Sequence, residues 1–285
     1  MAANLRDHLT TAKTRLVAAG IASSEAARDA QLLAMHALGW DRATLFAHDM
    51  EPPPPGFSDE YDALVARRGL REPIAYIRGV QEFWNRDFEV SPSVLIPRPE
   101  TELIVEEALS CAFGLAADIG TGSGCLAVTL AAEIRRSRIV ATDTSPRALE
   151  TARANADRHH VAERVEFVET SYLDAAGGPF DLIVANPPYV SEAEYAALAP
   201  EVRDFEPRSA LASGPEGLDG IRGVLVAAAS HLRPGGRLLL EMGYRHAEAV
   251  SALVHADTRL LLLHVRNDLQ RIPRMAVIER KMDGV

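Results

Sequence analysis

The tetrapeptide "NPPY", Asn186–Tyr189, follows directly on the apolar, β-rich run "FDLIVA". Because proline has no N–H to give to a β-ladder, two consecutive prolines end the predicted strand at this point. The amide oxygen of Asn186 can accept two hydrogen bonds, the rigid prolines can direct backbone carbonyls to one point, and Tyr189 offers a flat apolar face. Such a corner suits a planar group that carries an NH2. We therefore expect a substrate-binding corner made by Asn186, Pro187, Pro188 and Tyr189.

A second stretch, "DIGTGSG" (Asp118–Gly124), lies on a predicted strand-to-helix turn. Glycines permit a tight turn and let a ligand approach the backbone, and the helix N-terminus that follows offers free N–H groups. The strict alternation of Gly120, Gly122 and Gly124 does not match the dinucleotide fingerprint G-x-G-x-x-G, and the Gly-Lys-Ser/Thr of a P-loop does not follow. A ligand-binding loop and a purely structural glycine turn are both compatible with the pattern.

The third feature is Asp143, which ends the predicted strand "RIVATD" one βα unit after the glycine loop. A carboxylate at the tip of the second strand can accept hydrogen bonds from both hydroxyls of a ribose. Pro146 in the first turn also makes "DTSP" a good helix start, so helix capping alone is an alternative role for Asp143. Taken together, the glycine loop and Asp143 indicate a nucleoside cofactor.

The segments that must position these residues alternate between predicted strands and helices from about Leu103 onward. The strands include "LAADIG", "RIVATD", "FDLIVA" and "RLLLEMG", and the helices include "CLAVTLAAEIRR" and "PRALETARANADRHH". This alternation predicts an α/β fold with a doubly wound, mostly parallel sheet. Ligands bind such sheets outside the carboxyl ends of the strands, where the three features are predicted to lie. We assign residues 102–285 to this domain.

The first hundred residues have a different pattern. Residues 1–72 carry leucines at helical spacing, with Ser23 or Ser24 and Asp41 as predicted N-caps, and predict a small helical bundle. The proline run in "EPPPPGF" is interpreted as a stiff connection between two helices. Residues 73–101 are rich in aromatic and β-branched residues with turn formers between them, which predicts a β-hairpin linker.

Composition excludes several classes of function. The formal net charge of −10 argues against general nucleic-acid binding, since that requires Lys and Arg to neutralise phosphates. No apolar run reaches the roughly 18 residues needed to cross a bilayer, and the charged N-terminus is unlike a signal peptide. The only cysteines, Cys111 and Cys125, cannot form a disulfide framework, so we expect a cytoplasmic protein. No metal-ligand spacing occurs, and we predict no metal site.

In this order and spacing, "DIGTGSG", Asp143 and "NPPY" resemble the class I methyltransferases that depend on S-adenosylmethionine, whose Asn-Pro-Pro-Tyr members methylate planar nitrogens. The stretches "PRPETE", "EPRSALASGPEGLDGIR", "LLLEMG" and "RNDLQRIPRM" are similar to those of the HemK/PrmC family. The resemblance implies a Rossmann-like, seven-stranded sheet and an N-terminal helical domain for substrate recognition. It also implies methylation of the glutamine in the Gly-Gly-Gln loop of class I peptide chain release factors, with S-adenosylhomocysteine as the second product.

The same resemblance assigns roles to individual residues. The Asn186 side chain and the Pro187 carbonyl would accept the two hydrogens of the substrate amide, with Tyr189 packed against it. We expect Asn186 to position the amide rather than deprotonate it, because the product cation is acidic and loses its proton late. The implied cofactor-binding residues are Asp118, Gly120, Thr121, Gly122, Ser123, Gly124, Asp143 and Asn186.

The chain departs from the family beside the adenine. Where members often carry a bulky aromatic residue after the third strand, this sequence reads "ETSYLD". Ser171 occupies the aromatic position and Tyr172 follows it, so Tyr172, Ser171 or another side chain could close the adenine pocket.

Other readings stay open. The substrate could be another protein glutamine, such as one in a ribosomal protein, or a nucleic-acid amino group, which the acidic charge disfavours. A binding module without catalysis would not need "NPPY". We expect a monomer with no direct nucleic-acid or membrane partner.

Four charged residues have two candidate roles each. Arg98 and Glu100 either approach the site or pin the linker through an ion pair. Glu201 and Glu206 either order the loop after "NPPY" or line a substrate groove.

Overall fold

A computed structural model describes residues 3–282, which form two compact units. One unit comprises the chain up to Gly79 together with Pro200–Phe205, and the other comprises Val80–Ala199 and the chain from Glu206 onward. Residues 3–282 contain no helix with the length and apolar character that a bilayer crossing demands.

The first unit is a helical bundle, as predicted. Leucines and aromatic residues that recur along one face of each long helix pack together in its core, Leu5, Leu16, Leu33 and Tyr61 among them. The Tyr61 hydroxyl donates to the Ala30 carbonyl at 2.9 Å. Numbered in chain order over the whole protein, its helices are α1 (Leu5–Ala18), α2 (Ser23–Leu38), α3 (Arg42–Ala47), α4 (Phe57–Gly69), α5 (Ile74–Arg78) and α10 (Pro200–Phe205).

The predicted caps of this bundle are confirmed in one case and wrong in the other. Asp41 caps α3, and its carboxylate accepts from the Thr44 N–H at 2.7 Å. Helix α2 begins at Ser23 itself, with Ala22 in the cap position and no side-chain hydrogen bond. The two serines therefore lie within the first turn, where N–H groups have no intrahelical partner and polar side chains are tolerated.

A buried ion cluster lies inside the helical unit. Arg68 on α4 is 2% exposed and donates to Asp29 on α2 at 2.7 Å and to Glu201 on α10 at 3.0 Å. Arg71 reaches Glu201 as well, at 2.7 Å. Because a buried charge is costly unless it is paired, these contacts fix Pro200–Phe205 within the bundle. This fits the first role considered for Glu201, ordering of the segment after "NPPY".

The predicted linker contains both a helix and a hairpin. Strands β1 (Val80–Phe83) and β2 (Arg86–Glu89) pair antiparallel around Trp84 and Asn85, whose φ angles are 52° and 54°. Positive φ at both turn residues matches the twist of a tight hairpin. The segment Ile74–Arg78 is helical rather than extended, with three of its apolar side chains buried. Tertiary packing here overrides the β-propensity of the segment.

The second unit is built on a seven-stranded sheet in the order β5-β4-β3-β6-β7-β9-β8. All neighbours pair parallel except β9, which runs antiparallel to β7 and β8. The predicted fold class is confirmed. The strands are β3 (Leu115–Ile119), β4 (Arg138–Asp143), β5 (Val165–Glu169), β6 (Phe180–Ala185), β7 (Leu232–Glu241), β8 (Leu260–Asn267) and β9 (Pro273–Arg280). The helices are α6 (Glu102–Leu109), α7 (Cys125–Glu133), α8 (Pro146–Arg158), α9 (Glu192–Ala196), α11 (Asp219–His231) and α12 (Ala247–Ala256), with short 3₁₀ turns at Pro99–Thr101, Ala162–Arg164 and Arg208–Ala210.

Strand burial explains the apolar runs in the sequence. Leu182, Ile183 and Val184 of β6 are each 0% exposed, and their side chains enter hydrophobic clusters on both faces of the sheet. Strands covered on both faces have no solvent side that would call for alternating polar residues. The strand order reverses between β3 and β6, where Ile119 pairs with Ala185. The glycine loop and "NPPY" therefore leave the sheet side by side, at the position where open α/β sheets bind ligands.

Candidate active site

A cavity of about 260 Å³ lies outside the carboxyl ends of β3, β4 and β6. Of the predicted site residues, Gly124 and Tyr189 do not line the cavity, whereas the others do. Its walls are residues 118–123, 142–145, 170–172 and 186–188, with contributions from Ser93, Val94, Leu95, Pro97, Arg98 and Thr101, from Cys125, Leu126 and Ala148, and from Pro207, Ser209, Ala210, Gly220 and Val224.

The glycine loop turns sharply between β3 and α7. Gly120, Gly122 and Gly124 have φ angles of 71°, 56° and 80°, a region that other residues adopt only at a cost. A side chain on Gly124 would also meet the Ala152 side chain of α8 at 3.0 Å. The loop is fastened to β4 because the Thr121 N–H donates to the Thr142 carbonyl at 2.8 Å. The alternation of glycines thus reflects a specific backbone path along the cavity.

Asp118 lies at the floor of this loop and is 1% exposed. Its Oδ2 accepts from the Thr121 hydroxyl at 2.6 Å and from the Ala127 N–H at 3.1 Å. Within residues 3–282, Oδ1 has no hydrogen-bond partner although it is buried. Burial raises the pKa of Asp118 to about 7, against the lowering effect of its two hydrogen bonds, and the nearby Asp143 charge adds to the rise. A buried carboxylate oxygen without a protein partner can accept a hydrogen bond from a ligand or a water molecule.

Asp143 ends β4 and faces the same cavity. Its Oδ2 accepts from the Gly122 N–H at 3.0 Å, and its Oδ1 accepts from the Ser145 N–H at 2.9 Å. Ser145, not Asp143, caps helix α8 through the Ala148 N–H. The alternative role of Asp143 as the helix cap is therefore wrong. Each carboxylate oxygen has a further lone pair, so hydroxyl donors can still bind.

Ser171 and Tyr172 follow β5, and both line the cavity. Ser171 is exposed, whereas Tyr172 is partly buried and has a positive φ of 48°. The tip of the Tyr172 ring lies against Gly223 of α11, where a β-carbon would come within 1.9 Å of Cζ. Only a glycine in α11 leaves room for the ring in this position.

The "NPPY" corner leaves β6 and is enclosed by backbone at close range. The Val190 N–H donates to the Leu211 carbonyl at 2.9 Å, which fixes the end of the corner. A β-carbon on Gly217 would approach the Tyr189 carbonyl to 2.4 Å, and one on Gly220 would approach the Pro188 carbonyl to 2.8 Å. Gly217 and Gly220 in "SGPEGLDG" are therefore required by the path of the corner.

The side chain of Asn186 is held from behind. Its Nδ2 donates to Thr101 Oγ1 at 3.1 Å, and the Thr101 hydroxyl donates to Glu241 Oε2 at 2.7 Å. The Tyr189 hydroxyl donates to Glu241 Oε1 at 3.3 Å. Asn186 lines the cavity, and among residues 3–282 its side-chain hydrogen bond is made by the nitrogen alone, so Oδ1 is available to a ligand. The corner therefore presents a hydrogen-bond acceptor to the cavity.

Arg98 forms an ion pair with Glu206, which is 1% exposed at its side chain. Glu206 also accepts from the Ile96 N–H at 3.0 Å. Of the two roles considered for Arg98, the structure shows the ion pair that pins the linker, although Arg98 also lines the cavity. Glu206 thus orders the polypeptide that directly follows Pro200–Phe205.

Sequence reasoning missed Thr101, Glu241 and Asn155. Thr101 and Glu241 lie within "PRPETE" and "LLLEMG", which carried the family resemblance without any role for these two residues. Asn155 of α8 is 0% exposed, donates to the Ser123 carbonyl at 2.8 Å and also binds the backbone of Glu89. A polar residue on the apolar face of a predicted helix was the available signal for Asn155, since buried amides need partners.

Two protein families match parts of the chain. The family described as "PrmC N-terminal domain" matches residues 7–79, and the one described as "Methyltransferase small domain" matches residues 99–202.

Solved structures support the fold. The hMettl16 catalytic domain, solved with a MAT2A 3′UTR hairpin, superposes with a TM-score of 0.56 at 14% identity, over 82% of this chain and 95% of that one. A methyltransferase from Pyrococcus furiosus superposes with a TM-score of 0.52 at 20% identity, over 70% of this chain and 90% of that one. At these identities the likeness shows the fold alone.

Curated relatives are much closer in sequence. The "Release factor glutamine methyltransferase" of Cereibacter sphaeroides is 47% identical over 250 residues, which cover 88% of this chain and 89% of the relative. The protein of the same name from Nitratidesulfovibrio vulgaris is 43% identical over 291 residues, covering 98% of this chain and 96% of the relative. With this identity over nearly the full length, the chain belongs to the release factor glutamine methyltransferase family.

Proposed function

We propose that this protein transfers a methyl group from S-adenosylmethionine to the side-chain amide nitrogen of the glutamine in the Gly-Gly-Gln motif of class I peptide chain release factors. The observation that carries the proposal is the Asn186 amide, whose nitrogen is bound by Thr101 and whose oxygen is left for a ligand. The names of the full-length relatives support the choice of substrate. We assign substrate recognition to the helical unit on the family resemblance.

The residues around the cavity fit this cofactor. The unpartnered Oδ1 of Asp118 suits the ammonium group of its amino-acid part. The free lone pairs of Asp143 suit the two ribose hydroxyls. Tyr172, with Ser171 beside it, offers a ring for the adenine. When bound, S-adenosylmethionine supplies a methyl group that its sulfonium has already activated.

The remaining task of the protein is to orient a poor nucleophile. An amide nitrogen is weakly nucleophilic because its lone pair is delocalised into the carbonyl. Asn186 Oδ1 and the Pro187 carbonyl accept the two amide hydrogens and so fix the direction of the nitrogen, which can lower the barrier by several kcal/mol. The same acceptors stabilise the positive charge that develops on that nitrogen. Tyr189 does not line the cavity and its hydroxyl binds Glu241, so we assign it support of the corner from behind in place of the predicted packing against the substrate amide. Burial, together with the Glu241 charge, raises its pKa, so the phenol stays neutral and does not act as a base.

The position of Tyr172 leads to a test of the cofactor site. Gly223→Ala should displace the Tyr172 ring and weaken S-adenosylmethionine binding by about tenfold, or about 1.4 kcal/mol. Isothermal titration calorimetry would measure the change in Kd. Gly69→Ala, at the end of α4 with open space around it, is the matched control and should bind normally. In a Tyr172→Ala background the Gly223→Ala change should have little further effect, since contacting residues are not additive. A wild-type affinity for S-adenosylmethionine in Gly223→Ala would show that Tyr172 does not belong to the cofactor site.

The decisive experiment is a methyl-transfer assay with a purified class I release factor. Label from S-adenosylmethionine should appear on the wild-type factor and be lost when the Gly-Gly-Gln glutamine is replaced. Mass spectrometry should place the added methyl on the amide nitrogen of that residue. Label on both versions of the factor, or on neither, would refute the proposed substrate. Parallel reactions with ribosomal protein and RNA separate the two alternative acceptors. A cytoplasmic monomer that lacks a nucleic-acid or membrane partner stays a prediction.

A further inference from the structure

A hydrogen-bonded chain leads from Asn186 into the interior of the sheet unit. It passes from the Asn186 amide to Thr101 and from Thr101 to Glu241, which also binds the Tyr189 hydroxyl. Thr101 and Glu241 are each 2% exposed, so water does not replace their partners. A buried network of this kind holds its members in one arrangement only if every hydrogen-bond donor in it has an acceptor.

The number of hydrogens that each group carries fixes the direction of each hydrogen bond in the network. The Thr101 hydroxyl has one hydrogen and ionised Glu241 can only accept, so that hydrogen goes to Glu241. Thr101 can then only accept from Asn186, and it selects the NH2 end of the amide. The oxygen of Asn186 must therefore lie at the other end, toward the cavity.

We propose that Thr101 and Glu241 are positioning residues for methyl transfer, which together hold the Asn186 amide with its oxygen toward the substrate. The inference rests on the proposed function and adds two residues to it. Of the two residues, Thr101 lines the cavity and Glu241 does not. Glu241 acts through Thr101, and Thr101 acts through Asn186, whose amide nitrogen it binds.

Protonation of Glu241 would remove this selection. A neutral carboxyl group can donate to Thr101, and the Thr101 hydrogen is then free to point at Asn186. The amide can turn so that its oxygen binds Thr101 and its NH2 faces the cavity. An NH2 group there cannot accept from the substrate amide. Ionised Glu241 is therefore the competent form, and activity should fall as the pH falls.

The environment of Glu241 places this change near neutral pH. Burial raises the pKa of Glu241 to about 7, and the Glu100 charge adds to the rise, whereas the bonds from Thr101 and Tyr189 and the charge of Arg274 lower it. Cys125 stays neutral, because burial above all raises its pKa to about 12. The other ionisable groups packed near the network are His246, whose ring lies 6.3 Å from that of Tyr189, and Arg98, whose charge lowers the pKa of Tyr189.

Substitutions at Thr101 distinguish the contribution of its hydroxyl to kcat from that of its side-chain volume. Thr101→Val keeps the shape and removes the hydrogen bonds, and kcat should fall about 30-fold, less than the 10²–10³-fold typical of losing a group that touches the substrate directly. Thr101→Ser restores a hydroxyl and should recover kcat to within about threefold of the wild type, or 0.7 kcal/mol. The Kd for S-adenosylmethionine should stay unchanged in both variants, which also reports that they fold.

Glu241→Gln tests the role of the charge. The wild-type kcat, measured with saturating cofactor, should rise with pH through about 7. Glutamine does not ionise, so the variant should lose this pH dependence while keeping kcat within about tenfold, since one of its two amide orientations still accepts from Thr101. Saturation with cofactor suppresses the separate titration of Asp118.

The outcomes separate this inference from the proposed function. No transfer by the wild type to a release factor refutes the function itself. With an active wild type, an unchanged kcat in Thr101→Val or a surviving pH limb in Glu241→Gln overturns the positioning role. A loss of more than about 100-fold in Glu241→Gln at every pH would also overturn it, because that loss is typical of a general base. If Thr101→Val fails to fold, Thr101→Ser and the pH profiles of Glu241→Gln decide.

Discussion

The variant Asn186→Ala is expected to lower kcat for methyl transfer by about 10³-fold, because it removes an acceptor that is aimed at the charge developing on the substrate nitrogen. The Kd for S-adenosylmethionine should stay within about tenfold of the wild-type value, a difference of 1.4 kcal/mol. The structure supports this separation. The Asn186 side chain is tied to Thr101 by its nitrogen, whereas the proposed cofactor-binding residues Asp118, Asp143 and Tyr172 lie at the carboxyl ends of β3, β4 and β5.

Single-turnover transfer to the release factor measures the chemical step, and calorimetry measures cofactor affinity. Asn267→Ala is a suitable control, because Asn267 is an exposed asparagine at the end of β8. It should behave as the wild type in both measurements. If Asn186→Ala transferred methyl groups within about tenfold of the wild-type rate, the "NPPY" corner would not be the methyl-acceptor site.

Local signals predicted most of the fold and the parts of the site that lie directly at strand ends. The continuous apolar run before Asn186 predicted a buried parallel strand, and the glycine loop and Asp143 were each recognisable within one βα unit. Connectivity alone brings these residues together, since the carboxyl ends of parallel strands share one edge of the sheet. For these residues the sequence was sufficient because each lies close in the chain to its structural reason, although the equally local prediction of Ser23 or Ser24 as an N-cap was wrong.

The sequence was insufficient where the reason lies in another element. The role of Thr101 depends on Glu241, 140 positions later, and on the placement of β7 beside β6. The fit of Tyr172 depends on the missing side chain of Gly223 on α11. Likewise, Ile74–Arg78 has the composition of a strand but is helical because its apolar residues are buried by packing. Neither the periodicity of apolar residues nor the spacing of motifs indicates such contacts between residues in different elements.

The variant Asp143→Ala should show the opposite pattern to Asn186→Ala. Both oxygens of Asp143 accept backbone N–H groups, from Gly122 on one side and Ser145 on the other. Its removal therefore costs the two ribose acceptors and also loosens the glycine loop. We expect the Kd for S-adenosylmethionine to rise about 100-fold, or 2.7 kcal/mol, and kcat at saturating cofactor to stay within about fivefold.

Asp143→Asn tests whether the loss of cofactor affinity in Asp143→Ala follows from the loss of hydrogen-bond acceptors. The asparagine amide keeps one acceptor oxygen but turns an NH2 toward one of the two backbone N–H groups, so cofactor affinity should fall between that of the wild type and Asp143→Ala. The pair of variants at Asn186 and Asp143 then divides the cavity into a half that orients the methyl acceptor and a half that holds the cofactor. Equal losses of cofactor affinity at both positions would contradict this division, because the two side chains share no hydrogen-bond partner among residues 3–282. A normal Kd with a large loss of kcat in Asp143→Ala would instead place Asp143 on the acceptor side.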